Sequence, residues 1–228
     1  MKVVKILILL AALGGMGYGS KSLYESDLLL LKRVEVIGNS RVSANEVVAA
    51  SKLEKGTHLL KLSTHEIGVR VGEVPWILQA RIERILPSKV RITVEERQPV
   101  AVVLVRGEPF IVDRGGFVLA SGAESFVTIT ELPITSIRAG ADLDLRQFDH
   151  ALKIYEGLPS PLRSEVRSIK AASVDRITLE LNDSTLILYG AAESIEDKNF
   201  AIEKLLANGI PSASIDVRVP HRPAVRPR

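Results

Sequence analysis

One sequence device occurs twice within 24 residues and limits the fold more than any other. Ser43 is followed three residues later by Glu46, with Val42 and Val47 flanking the pair. Ser63 is followed by Glu66, with Leu62 and Ile67 around it. Each set is a capping box inside a hydrophobic staple, the signature of a helix start. Two short helices are therefore expected, one from about 44 to 52 and one from about 64, ending by Gly72 before Pro75. Strand signals bracket them. Val34 and Val36 alternate with Arg33 and Glu35 before Gly38-Asn39 turns the chain. Past a run from Trp76 to Leu86 and the Pro87-Ser88 break, Val90, Ile92 and Val94 alternate without error against Lys89, Arg91, Thr93 and Glu95. That strand has one dry face and one wet face. The predicted order over 32–98 is β-α-α-β-β: two helices on one face of a three-stranded sheet. Arg81, Glu83 and Arg84 are expected to face Lys89, Arg91 and Glu95 on the solvated side.

Residues 99–219 read as a β-rich domain with two helices. Val100 to Val105 is wholly apolar. Phe110–Val112 and Phe117–Leu119 flank Asp113-Arg114-Gly115-Gly116, a hairpin turn. Val127–Ile129 is a further short strand. Phe148, Ala151, Leu152 and Tyr155 recur at helical spacing, predicting a helix over 147–157. Strands follow at 177–181 and 185–189. A second helix, about 195–208, carries Lys198, Ala201, Ile202 and Leu205 on one side. Ser214 to Val219 reads as the last strand, with Ile215, Val217 and Val219 on the dry face and Asp216 and Arg218 on the wet one. The tail, 220–228, is rich in Pro and Arg and is expected to be extended and disordered. A last strand at a sheet edge offers unpaired backbone groups to a partner strand; internal or tail-capped, it offers none.

The N-terminus is apolar. No charge occurs from Ile6 to Ser20, and counting Val3 and Val4 the run reaches 17 residues, the lower limit for a spanning helix. Residues 1–20 are read as a transmembrane signal anchor, or alternatively a signal peptide cleaved near Gly19; 21–31 form a juxtamembrane linker. Lysines before the run favour an N-in, C-out orientation.

Composition excludes several functions. Cysteine is absent, so disulfide scaffolds, thiolate metal sites and Cys nucleophiles are out. Net charge is +3, and three of the arginines lie in the last nine residues; the body is not basic enough to suggest a nucleic-acid binder. His58, His65, His150 and His221 make no metal-binding spacing, and no nucleophile elbow occurs. Asp142 and Asp144 suit a solvated loop, and Asp113 suits a turn. The expectation is no enzyme activity, no catalytic residue, no cofactor and no metal.

The 32–98 unit resembles a POTRA domain, through Val34-Glu35-Val36-Ile37-Gly38-Asn39-Ser40 at its start and Val90 to Pro99 at its end. The order that follows narrows the likeness. An apolar anchor, one POTRA unit, the Phe110–Val118 hairpin, Leu132-Pro133-Ile134, and Ile215-Asp216-Val217-Arg218-Val219-Pro220 before Ala224-Val225-Arg226 together resemble the bacterial cell-division family FtsQ/DivIB. The fold class implied is α+β: an N-terminal transmembrane helix, a POTRA domain and a β-rich domain with two helices. The resemblance implies an uncleaved anchor in the inner membrane, a cytoplasmic N-terminus and periplasmic domains at the division septum. Only about four residues precede the apolar run, so cytoplasmic contacts by this chain are expected to be few. It also implies a scaffold that binds FtsB (paired with FtsL) and, through them, connects to the septal peptidoglycan synthase FtsW/FtsI. Carried over, the contact positions are Ile215, Asp216, Val217, Arg218, Val219 and the neighbourhood of Lys198. A rival reading is a POTRA-bearing periplasmic chaperone for outer-membrane or secreted substrates.

Overall fold

The computed structural model describes residues 27–207 and 212–227. The expected anchor lies outside them. Among the described residues no helix is long and apolar enough to cross a membrane. The chain divides into two compact units, Met1–Glu96 and Arg97–Arg228.

In the first unit both capping boxes work as read. α1 (Ala44–Ser51) and α2 (Thr64–Gly72) each start with a serine hydroxyl, Ser43 or Ser63, accepting from the backbone N–H three residues on, Glu46 or Glu66. β1 (Arg33–Ile37) pairs parallel to β3 (Lys89–Glu96), which pairs antiparallel to β2 (Ile77–Ile85), so β3 is central. Val90, Ile92 and Val94 are buried against Val47, Ile67 and Val71 of the helices. Two 3-10 turns carry no mark in the sequence pattern: Asp27–Leu29, and Leu59–Lys61, where the His58 ring nitrogen accepts from the Leu60 N–H.

The outer face differs from expectation at one residue. Glu83 does face Arg91, and Arg81 faces Thr93, but Arg84 lies opposite buried Val90. Arg84 therefore belongs to the helix side, where its guanidinium donates to the Leu62 carbonyl. Glu35 bridges Lys89 at 2.7 Å and Arg91 at 2.9 Å, and hydrogen bonds from these two cations hold its carboxyl below the usual range. Gly38 sits at φ +88°, and a Cβ there would fall 2.2 Å from the Val94 carbonyl oxygen; only glycine permits this turn against β3.

Among the described residues the second unit is built on one nine-stranded sheet. Its strands are β4 (Pro99–Val105), β5 (Glu108–Asp113), β6 (Val118–Ser121), β7 (Val127–Thr130), β8 (Val166–Ser173), β9 (Arg176–Leu181), β10 (Leu186–Leu188), β11 (Ser212–Asp216) and β12 (Ala224–Pro227). Their spatial order is β12-β11-β10-β9-β8-β7-β4-β5-β6. Three pairs are parallel: β4 with β7, β7 with β8, and β10 with β11. Such pairs need a crossover. α3 (Arg146–Gly157) and α4 (Ser160–Glu165) supply one, between β7 and β8, and α5 (Ile195–Ala207) supplies another, between β10 and β11. Phe148, Ala151 and Leu152 of α3 are buried in the same core as Ala201 and Ile202 of α5, as their spacing predicted.

Three corrections concern this unit. Among the described residues it carries three helices, not two, because Pro159 and Pro161 do not bar a helix but sit at the start of α4; proline is tolerated in a first turn. β8 was not foreseen. Its buried residues Val166, Ile169 and Ala171 break strict alternation because the register shifts between Val166 and Ser168. The tail is not disordered: Ala224–Pro227 forms β12.

Candidate partner-binding surface

The C-terminal end of the sheet carries most residues singled out from sequence. Ile215 pairs with Ile187 of β10 on one side and with Val225 of β12 on the other. β11 is thus internal, and the edge lies one strand further out, on β12. Pro223 and Pro227 bracket that strand, a composition that suits an edge and fails in a central strand.

Ile215 and Val217 are fully buried, as alternation predicted. Val219 departs from the pattern and is 58% exposed. The strand ends at Asp216, and the chain then turns, the Arg222 N–H donating to the Val219 carbonyl. On the opposite face, Arg218 donates to Asp216 from Nε at 3.0 Å and from Nη2 at 2.5 Å. This pairing lowers the Asp216 pKa and raises that of Arg218. Cγ of Arg218 lies so close to Gly190 that a Cβ there would be 3.1 Å away. The Arg218 side chain is therefore already held by its own unit.

Lys198 lies inward with Ala201 and Ile202 of its stripe. It is 4% exposed. Its ammonium donates to the Ala191 carbonyl at 2.8 Å and sits 5.0 Å from the Tyr189 ring centroid. Burial pulls its pKa down, against an opposing pull from Glu193. Beside it the Tyr189 hydroxyl lies 3.0 Å from Asn199 Oδ1, and Asn199 donates to the Gly157 carbonyl at 2.8 Å. Burial raises the Tyr189 pKa. This polar cluster locks α5 to the end of α3 and to the residues after β10. It is internal scaffolding.

The exposed face of α5 carries what sequence reasoning passed over. Phe200 is 67% exposed. It lines a groove of about 390 Å³ with Asp197 and Lys204 on the helix and Pro220, His221 and Pro223 on the turn into β12. The signal was present: Phe200 falls off the Lys198–Ala201–Ile202–Leu205 stripe, so an aromatic there must face outward. Among the described residues no cluster of His, Asp or Glu could hold a metal ion. Asp113 is a turn residue, accepting from Gly115 and Phe117 N–H groups at 2.9 Å and from Arg97 at 2.8 Å.

Comparison with known proteins agrees with this architecture. A family model described as POTRA domain, FtsQ-type matches residues 29–97, and one described as Cell division protein FtsQ/DivIB, C-terminal matches residues 101–218. The chain is 31% identical over 221 residues to Cell division protein FtsQ of Mycobacteroides abscessus, covering 97% of this chain and 69% of that one. It is 30% identical over 227 residues to Cell division protein FtsQ of Mycobacterium tuberculosis, covering 99% and 69%. Against Cell division protein FtsQ of Streptomyces collinus the identity is 29% over 235 residues, covering 97% and 88%.

Proposed function

Since this chain belongs to the FtsQ/DivIB family of cell-division proteins, we propose that it is a non-enzymatic scaffold of the division apparatus. Residues 1–20 anchor it in the cytoplasmic membrane, N-terminus inside, with both folded units outside at the septum. There it captures FtsB, paired with FtsL, and through them connects to the septal peptidoglycan synthase FtsW/FtsI. The domain limits that go with this reading are 21–31 for the linker, 32–98 for the POTRA domain and 99–219 for the β domain, with the tail added to the latter's sheet.

A single observation carries the binding site: the sheet ends on β12, whose outward backbone pairs with no strand among the described residues, beside the groove that exposes Phe200. A partner strand gains affinity from the backbone groups of such an edge and specificity from side chains at a neighbouring pocket. Buried Ile215 and Val217 hold the strand behind that edge, and Lys198 fixes the start of the helix that carries Phe200. Asp216, Arg218 and Val219 flank it.

The test uses the absence of native cysteine. A photocrosslinker is attached at Arg226→Cys in cells, and the adducts are identified by mass spectrometry. A small coiled-coil membrane protein is the expected adduct, lost when Phe200→Arg is added. Adducts with nascent outer-membrane or secreted proteins would instead favour the chaperone reading, and adducts unaffected at Phe200 would remove the groove from the site.

A further inference from the structure

At one pole of the first unit three chain segments are stitched together by backbone bonds. The segment before β1 meets the loop after α1: the Leu31 N–H donates to the Thr57 carbonyl at 2.8 Å, the Gly56 N–H to the Leu31 carbonyl at 2.9 Å, and Leu30 bridges His58 antiparallel. The β2–β3 hairpin joins them, because the Ser88 carbonyl accepts from the N–H groups of Lys32 and Arg33. Arg84, at the end of β2, donates to the Leu62 carbonyl. Each segment exposes one leucine here. Leu28 is 64% exposed, Leu60 47% and Leu86 62%. The antiparallel bridge brings Leu28 and Leu60 to the same end of the paired segments. The same segments carry exposed cations, Lys32, Arg33, Lys55 and Lys61, against the exposed acids Asp27 and Glu54.

Three exposed leucines in segments that also carry four exposed cations against two exposed acids fit an interface with an anionic membrane. Leucines enter the headgroup boundary while lysine and arginine stems reach lipid phosphates. Chain length puts that contact within reach. Between Ser20, where the uncharged run stops, and Asp27 lie seven peptide steps, at most about 25 Å. We propose that this pole, Leu28, Leu60 and Leu86 with the cations of their segments, docks on the anionic lipid surface and fixes the tilt of the POTRA unit on the membrane. The proposal rests on residues 1–20 being the anchor. It goes beyond that reading, because a tether alone leaves the unit free to swing.

The experiment uses the full chain reconstituted in vesicles of phosphatidylcholine with phosphatidylglycerol. An environment-sensitive fluorophore is placed at Leu86→Cys, 66 residues past Ser20, and in a separate protein at Leu78→Cys. Leu78 is also exposed but lies at the far end of β2, eight residues or about 26 Å along the strand. Lipid-borne quenchers should quench position 86 and leave position 78 bright. Adding Leu60→Glu, or Lys32→Glu with Lys61→Glu, should drop quenching at 86 to the level at 78, as should vesicles of phosphatidylcholine alone. Equal brightness at both positions, in protein that resists alkaline extraction, overturns the docking and leaves the anchor intact. Release of the chain by alkaline extraction overturns the anchor and the docking with it.

Discussion

Among single residues, burial and hydrogen bonding decide which positions tolerate change. Val217 is fully buried beneath the C-terminal edge. Val217→Asp places an unpaired carboxylate in that core and should cost about 3–5 kcal/mol; wild-type thermal stability in that variant would refute the face assignment. Glu96 illustrates a different dependence. Its carboxylate accepts from the backbone N–H groups of Ser40, Arg41 and Val42 at 2.8–2.9 Å, tying the turn after β1 to the end of β3. Burial pushes its pKa up, but these bonds outweigh it and hold the group below its ordinary value. A carboxyl depressed on folding contributes stability above its unfolded pKa of about 4.3 and loses it as pH falls through the lower folded value. Glu96→Gln should therefore destabilise the POTRA unit by about 1 kcal/mol at pH 7 and by progressively less toward pH 3, because the group is partly solvated. Chemical denaturation at several pH values measures this; a cost that does not change with pH would assign the effect to packing.

Within elements, local code and tertiary pairing contribute differently. The serine caps are local. Ser63→Ala removes the oxygen that accepts the Glu66 N–H and should cost about 1 kcal/mol, lowering the melting temperature of that unit by about 4–8 °C. A scanning calorimetry trace unchanged by the substitution would show that the cap is replaced by water at no cost. β12 is the opposite case. Its four residues, two of them charged or proline, have no strand signal of their own, and pairing with β11 makes them a strand. Truncation after Pro223 should leave the core of the second unit folded while exposing the β11 edge. The expected result is an unchanged core by hydrogen exchange, with loss of partner capture and increased self-association, since a bare edge recruits other strands. Global loss of exchange protection would mean that β12 closes the core and does not merely cover an edge.

For the whole molecule, confinement and fold act together. In the proposed reading residues 1–20 restrict the chain to the membrane plane, so individually weak contacts reach useful occupancy through effective concentration. Removal of residues 1–20 should leave the intrinsic affinity of the exported chain for a purified partner unchanged while abolishing its enrichment at the septum by fluorescence microscopy. A fall in intrinsic affinity would show that the segment contributes contacts of its own.

Much of this organisation was legible in the residues, for an identifiable reason. Capping boxes, staples and the error-free alternation at 89–95 are short-range patterns, in which neighbours along the chain supply both donor and acceptor or fix which face is dry. They determined α1, α2, β3, the Asp113 turn and the buried stripes of α3 and α5. The order of these elements also carried the family. What the sequence could not determine depends on groups distant along the chain. A register shift hid β8 by breaking its period. The partners that Arg84 and Lys198 find, the Leu62 and Ala191 carbonyls, come from other elements, although the pleat alone sends Arg84 to the face opposite Glu83. Above all, the location of the open edge followed from which segment supplies the last ladder of backbone hydrogen bonds. Every segment carries the same N–H and C=O groups, so only the folded topology decides whether β11 or β12 is left facing outward.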